Sequence, residues 1–359
     1  MQLLLDVVST PSVSGREADV ARVVVDAMSR SADEAFVDAA GNAVGRWGTG
    51  PVNLTFLAHM DTVRGWIEPR ISEGWLHGRG SVDAKGPLCA ALVAASRLSA
   101  EARAALSVRV IAAVEEEAPS SKGARYAAKT YPRPHALVVC EPSGWQRYTL
   151  GYKGNLRARL RCEMDEGHGA ALAGGPAAQV VDAWSAVQTW AREARPPEPR
   201  LFDSVQARLM SVNSGSDGLT ARCSALIGFR LPPSLPWRAA AAALLEVRLP
   251  YGVTIAIEPG LDARTAPKDT ALAAGFRSAI RAAGGVPVAT LKTGTSDWNV
   301  VAERWLTGAS PVLAYGPGDS TLDHTPDERL EIAEYLRSIS VIEGALAQSA
   351  SEKWRFTAA

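Results

Sequence analysis

Residues 52–61 read VNLTFLAHMD, an apolar run of strand length that stops in a histidine, a spacer and an aspartate. Such a run suits a buried strand, and in an open α/β sheet ligands gather just beyond the carboxyl ends of the strands. His59 is placed there to offer one ring nitrogen to a metal, while Asp61 fixes the other N–H. Taken alone, a histidine at the end of a strand is more often structural than catalytic.

Two later stretches repeat the pattern. LSVRVIAAV (106–114) runs into Glu115, Glu116 and Glu117, and HALVVC (135–140) runs into Glu141. Between the apolar runs lie helical stretches at 87–98, with Pro87 in the first turn, and at about 122–130. Strands separated by helices imply a mostly parallel, helix-covered sheet of the α/β class, and here each strand delivers an acid or a histidine at the same end. Upstream, residues 15–31 have a helical period, with Ser14 and Glu17 spaced as a capping box. The stretch GWIEPRISEGWLHGRGSVDAKG (65–86) is too polar for a core and reads as a loop system that carries function.

Near Leu150 the pattern changes. Residues 155–162, 222–231 and 252–258 alternate apolar and polar, with helices expected at about 176–194 and 237–248. This predicts an inserted α+β domain over residues 152–262, an antiparallel sheet with two helices. Helix and strand alternation resumes with a helix at 269–285, strands at 286–290 and 311–315, and a last helix from Pro326 to about Ser349. The α/β domain is then discontinuous, 1–151 and 263–359.

Bulk properties exclude several classes. Lys plus Arg equals Asp plus Glu at 38 each, so no global field points to nucleic acid or an anionic membrane. No stretch reaches the ~18 apolar residues of a membrane span, and the first residues lack a basic leader and are interrupted by Asp6, so a cytoplasmic protein is expected. Cys89, Cys140, Cys162 and Cys223 stand apart with no CxxC pair, which fits reduced thiols. The ten tryptophans are scattered without a repeat and read as packing residues, not a base-stacking platform.

His59, Asp83, Glu116, Glu117, Glu141 and His324 together supply enough hard or borderline ligands for two divalent ions sharing a carboxylate. Two imidazoles and several carboxylates without cysteine suit Zn²⁺, Co²⁺ or Mn²⁺ in a catalytic site. Each has a plainer alternative: Asp83 as a helix cap, the glutamate run as a solvated turn, Glu141-Pro142 as a turn, and His324 as an exposed residue before a helix.

The order HMD (59–61), GRGSVDAKG (78–86), EEE (115–117) with SKGA after it, CEPS (140–143), TGTSDWN (293–299) and DHTPDE (323–328) resembles the dinuclear-zinc aminoacylase and carboxypeptidase superfamily. Acetylornithine deacetylase and succinyl-diaminopimelate desuccinylase belong to it. The likeness covers nearly the whole chain. It implies a zinc-peptidase-type catalytic domain with an inserted lid that makes a homodimer, and two Zn²⁺ or Co²⁺ ions per subunit. By position, it makes Asp83 the bridging ligand, His59 and Glu141 ligands of one ion, and Glu117 and His324 ligands of the other. It also implies that Asp61 orients His59, that Glu116 is the general base, and that His168 in EGHGAAL steadies the oxyanion from a partner's lid. His77 and His135 match no motif of the site.

EEEAPSSKGARY, CEPSGW and GYKGNL look most like the lysine-biosynthesis branch, whose members release lysine or ornithine from the C-terminal glutamate of a small acidic amino-group carrier protein. Arg230 and the loop with Thr295, Ser296 and Asp297 are candidates for holding a substrate, since a guanidinium takes a carboxylate bidentately. Arg64, Arg70, Arg79, Lys85 and Lys153 are candidates for receiving the acidic carrier. The alternatives are an N-acetylornithine, N-acetyl-lysine or other N-acyl-amino-acid deacylase, a dipeptidase, or a metal-free binding protein of the same fold. Intact ligands at all six positions argue against the last.

Overall fold

Val52–His59 is a strand whose last six residues are all buried. It lies between Leu106–Ala113 and Ala136–Val139, parallel to both, and Val312–Ala314 runs parallel to the latter. The sheet continues on one side through Ala43–Trp47 and Glu34–Val37, both antiparallel, and on the other through Arg147–Tyr152. The computed structural model describes residues 1–166, 174–194, 200–307 and 310–350. These fall into two units: Met1–Gly151 with Ala266–Thr290 and the chain from Ser296 on, and Tyr152–Thr265 with Leu291–Thr295.

The central strands are apolar on both sides because helices cover both faces of a parallel sheet. Leu54, Phe56, Val108, Val110 and Val138 pack in one cluster with Leu88, Ala91 and Ala95 of the helix Lys85–Ser96 and with Ile339, Ile342 and Leu346 of Ile332–Ala350. Full burial of a Leu, Ile or Phe side chain contributes ~1.5–3 kcal/mol, so this layer fixes where each strand ends. The α/β reading of the sequence holds, with a largely parallel central sheet.

Three local expectations give way. Ser14 and Glu17 form no capping box: the helix is Ala18–Met28, without a side-chain cap, and both polar groups turn instead toward the strand ends described below. The last helix starts at Ile332, not Pro326, because Arg329–Glu331 first pairs as a strand with Trp75–His77. That pairing, with Arg70–Ser72, makes a small antiparallel sheet inside the stretch read as loop. The helix Gln2–Ser9 was not expected, although Leu4, Val7 and Val8 are buried at helical spacing.

The second unit is a four-stranded antiparallel sheet in the order Gln206–Ser216, Thr220–Leu231, Gly154–Asp165, Val253–Leu261. Leu156, Ala158, Leu160, Ile227 and Phe229 face the helix Pro176–Glu193 through Val180, Ala183 and Val187, and Ala240 and Leu244 of Trp237–Leu245 join them. The strand Gln206–Ser216 escaped the sequence reading because it is an edge strand with little buried alternation. Among the described residues no helix is long and apolar enough to cross a membrane.

Candidate metal centre

The three parallel strands end side by side. His59 closes Val52–His59, Glu116 and Glu117 follow Leu106–Ala113, and Glu141 stands two residues beyond Ala136–Val139. Backbone hydrogen bonds hold the ends level, Met60 N to Ala113 O at 3.0 Å and Cys140 N to Leu57 O at 2.7 Å.

Asp83 is the meeting point. Its Oδ1 lies 3.2 Å from His59 Nε2 and its Oδ2 lies 3.0 Å from His324 Nε2, so one carboxylate faces two imidazoles with its two oxygens. His324 Nε2 is also 2.6 Å from Glu117 Oε1. Asp83, Glu117 and His324 offer ligand atoms within 4.8 Å of one another. The Asp83–Ala84 peptide is cis, and His324 has φ +63°, a left-handed conformation that a non-glycine residue keeps only where its surroundings impose it. Asp83 is not a helix cap, since the helix after it carries no side-chain cap bond.

Asp61 does more than face His59. His59 Nδ1 is 3.1 Å from the Asp61 carbonyl and 3.4 Å from its carboxylate, which fixes the ring from behind. The same carboxylate accepts from the backbone N–H groups of Glu116 at 3.0 Å and Glu117 at 3.1 Å, and from Ser14 Oγ at 2.7 Å. One buried aspartate therefore sets both His59 and the turn that presents the two glutamates. Glu17 supports that turn from the next residue, accepting from Glu115 N at 3.1 Å. Behind Asp83, Glu328 Oε1 accepts from the backbone N–H groups of Val82 and Asp83 at 3.0 and 3.1 Å, while its other oxygen pairs with Arg79 Nη1 at 2.6 Å. Sequence reasoning missed Ser14, Glu17 and Glu328. Only the position of Glu328, in the same DHTPDE block as His324, hinted at its use.

The electrostatics follow from packing acids together. Burial pushes the Glu116 carboxyl well above its usual range; the His59 charge opposes this, and Asp297, Glu141 and Glu117 add to it. Glu117 is raised by burial, against its bond to His324. Asp83 is lowered, since its bonds to His324 and His59 outweigh burial. His324 is raised to about 10 by Asp83 and Glu117. Burial opposes charge on His59, yet its hydrogen bonds to Asp61 and Asp83 lift it above the usual histidine value. Asp297 is buried with both oxygens lacking a hydrogen-bond partner among the described residues, and burial raises it to about 8. A cluster with this excess of acid is what bound divalent cations relieve, and its imidazole and carboxylate donors match their ligand preference.

The substrate-loop residues part company. In the second unit, Arg230 Nη1 donates to Thr295 Oγ1 at 2.6 Å, and that hydroxyl donates to the Lys153 carbonyl at 3.0 Å. Ser296 instead caps the helix Asp297–Trp305 with a capping box through Asn299, and Asp297 lies among the acids of the first unit. Of the basic residues considered for a carrier, Arg79, Lys85 and Lys153 are 7%, 1% and 0% exposed, which leaves Arg64 and Arg70 at the surface. Lys85 Nζ donates to the Thr10 carbonyl, and Lys153 Nζ to the Leu201 carbonyl and Gln206 Oε1. His168 lies outside the described residues.

Residues 55–348 match the model of peptidase family M20/M25/M40. The chain belongs to that family. It is 47% identical over 351 residues to a LysW-lysine hydrolase of Deinococcus radiodurans, covering 97% of this chain and 96% of the relative. A LysW-lysine/LysW-ornithine hydrolase of Sulfurisphaera tokodaii is 27% identical over 85% of this chain and 83% of its own. Among solved structures, the M20 family metallo-carboxypeptidase Sso-CP2 from Sulfolobus solfataricus superposes with a TM-score of 0.79 at 17% identity, covering 97% of this chain and 98% of that one. Human carnosine dipeptidase 1 gives 0.79 at 15%, over 97% and 95%. At such identities the likeness speaks for the fold alone. Membership of the M20 family makes this chain a hydrolase of amide bonds and implies use of a divalent metal, for which Asp83, Glu117 and His324 form a candidate site.

Proposed function

We propose that this M20 hydrolase releases lysine, or ornithine, from the γ-carboxyl of the C-terminal glutamate of an amino-group carrier protein. The observation that carries the reading is the 47% identity, over nearly the full length of both chains, to a LysW-lysine hydrolase. On this reading two Zn²⁺ or Co²⁺ ions would be held by His59, Asp83 and Glu141 on one side and by Asp83, Glu117 and His324 on the other. The approach of Asp83 to both histidines supports it as the shared ligand. When bound, such a pair of cations polarises the amide carbonyl and makes water more acidic.

The chain's own groups account for the proton and the substrate. Glu116, fixed by its backbone bond to Asp61, takes a proton from the attacking water on its carboxylate and passes it to the leaving nitrogen. Burial raises the Glu116 carboxyl above the usual carboxylate range, which makes it a better acceptor for that proton. Arg230, with Thr295 beside it, holds a substrate carboxylate. His168 steadies the oxyanion, the role that the resemblance assigns it. We extend the reading to a homodimer through the inserted unit, whose edge strand Gln206–Ser216 leaves Met210 and Val212 exposed. Four buried free cysteines suit a reducing compartment and hence the cytoplasm.

The test compares initial rates of the zinc- or cobalt-loaded enzyme on a carrier protein bearing γ-linked lysine, on acetylornithine, acetyl-lysine and succinyl-diaminopimelate. Hydrolysis of the carrier conjugate well above the others is expected. Fast hydrolysis of the acetylated compounds with none of the conjugate would replace the reading with a small-molecule deacylase.

A further inference from the structure

The sheet of the inserted unit has one face covered by helices and one face that is bare among the described residues. Period-2 alternation decides which side chains stand on the bare face. Along Gly154–Asp165 the inward positions Leu156, Ala158, Leu160 and Cys162 are buried, so Arg157, Arg159 and Arg161 stand outward in one column. At about 3.4 Å per residue, that column spans roughly 14 Å.

Register extends it sideways. Gly228 is paired with Arg157 on one side and with Arg208 on the other, so two guanidinium groups flank a residue without a side chain. The next outward residue of the same strand is Arg230, opposite Asn155. Arg157, Arg159, Arg161 and Arg208 form no ion pair among the described residues. Acids collect at the opposite end: Arg222 pairs with Glu163 at 3.1 Å and with Asp217 at 3.0 Å, next to Asp165. Along the column only Glu258 stands across from Arg157. The face thus grades from neutralised at the 217–220 turn to basic beside Arg230 and Thr295.

We propose that this face docks the body of the carrier protein whose C-terminal residue holds the lysine, through a patch of carboxylates on the carrier that pairs with Arg157, Arg159 and Arg161. The inference rests on the carrier-linked reading above and gives it a surface, in place of the buried Arg79, Lys85 and Lys153. A protein partner with a limited acidic patch fits better than a nucleic acid. The outward positions of the four strands carry no aromatic ring for base stacking, and the acids at the far end would repel a phosphate backbone. Complementary charge of this kind acts mainly on the rate of encounter and weakens with salt.

The test uses the full-length, metal-loaded enzyme and the triple variant Arg157→Glu, Arg159→Glu, Arg161→Glu, with two substrates: the carrier bearing γ-linked lysine, and the dipeptide γ-glutamyl-lysine. We expect kcat/KM on the carrier conjugate to fall at least about tenfold at low salt while the dipeptide rate stays at the wild-type value. Added salt should bring the wild type down toward the variant on the conjugate only. A conjugate rate retained by the variant would overturn the inference. The triple glutamine variant guards against misfolding, since it adds no like charges; it should lose conjugate activity alone, by a smaller factor, and retention there also counts against docking. Tighter retention of a short duplex DNA than of the carrier by the wild-type enzyme would reassign the face to nucleic acid. A wild-type enzyme that hydrolyses neither substrate refutes the carrier-linked reading itself, which separates the two failures.

Discussion

At the ends of Val52–His59, Leu106–Ala113 and Ala136–Val139 the charged side chains are mostly acidic, half or fully buried, and tied to one another. Along Gly154–Asp165, Arg157, Arg159 and Arg161 face outward and form no ion pair among the described residues, the acids collecting mainly near the 217–220 turn. Both regions gather charge of one sign, which costs free energy, and they reduce that cost by different means. The acids are held by directed hydrogen bonds: Asp61 to the backbone of Glu116 and Glu117, and Glu328 to the backbone of Val82 and Asp83. The arginines are kept apart by the pleat and screened by water. Charge built to act on a bond is fixed from behind, whereas charge that only meets a partner needs no such support.

The comparison breaks most visibly at Asp83. Asp83→Ala removes the oxygens that face both His59 and His324, and activity should fall beyond the roughly 10- to 100-fold that losing a residue behind a ligand costs. Steady-state rates with excess zinc check it, and a variant restored to normal activity by metal would show that Asp83 is not shared. Glu328→Ala comes next. It leaves Arg79 buried without its partner, for which the expected loss is about 3–5 kcal/mol of stability, read by denaturant unfolding. A loss below 1 kcal/mol would mean that water reaches Arg79 and that the support for Asp83 is dispensable.

The third effect is one of pH. In metal-stripped protein, Glu116, Glu117 and Asp297 have folded pKa values raised above 4.5, 4.5 and 3.8, that of Asp297 to about 8, and His324 is raised from 6.5 to about 10. Raised folded values mean that the folded state binds more protons, so stability is fully present at low pH and is lost as pH rises through those values. Asp61 and Asp83, which are lowered, have delivered their contribution by pH 5 and do not offset this. The melting temperature of the stripped enzyme should therefore drop between pH 5 and 8, and the gain from added zinc should be larger at pH 8. A gain that is equal at both values would contradict the picture of an acid cluster awaiting cations. The smallest effect is expected on the other side of the comparison. Arg159→Ala should change stability by no more than about 0.5 kcal/mol, because nothing in the fold leans on its charge.

How far the sequence was legible follows the same division. VNLTFLAHMD, LSVRVIAAV and HALVVC declared their strands because burial on both faces leaves long apolar runs, and the α/β class came with them. Gln206–Ser216 did not, because an edge strand exposed over most of its length has no burial pattern to show. The residues of the candidate metal centre stand at strand ends and in compact blocks such as DHTPDE, where the sequence shows them. The groups behind them do not show in that way. Ser14 and Glu17 read as a helix cap from local spacing, yet the structure turns them onto Asp61 and Glu115, a use that depends on contacts 47 and 98 residues away. The start of the last helix was misplaced for a related reason, since Glu328 and Arg329–Glu331 are held by long-range partners that outweigh the local signal of Pro326. The arginine column needed cross-strand register to be seen as a surface at all.

The central claim is that His59, Glu117 and Glu141 from three strand ends, with Asp83 and the distant His324, form a single centre for two cations, beside which Glu116 transfers the proton. It is tested most directly by counting metal and turnover together in wild type and Glu116→Gln. The expected result is two divalent ions per chain in both proteins, with turnover lowered by about 10²–10⁴-fold in the variant alone. A Glu116→Gln enzyme that keeps most of its activity, or a wild type that is fully active with fewer than two ions, would contradict it.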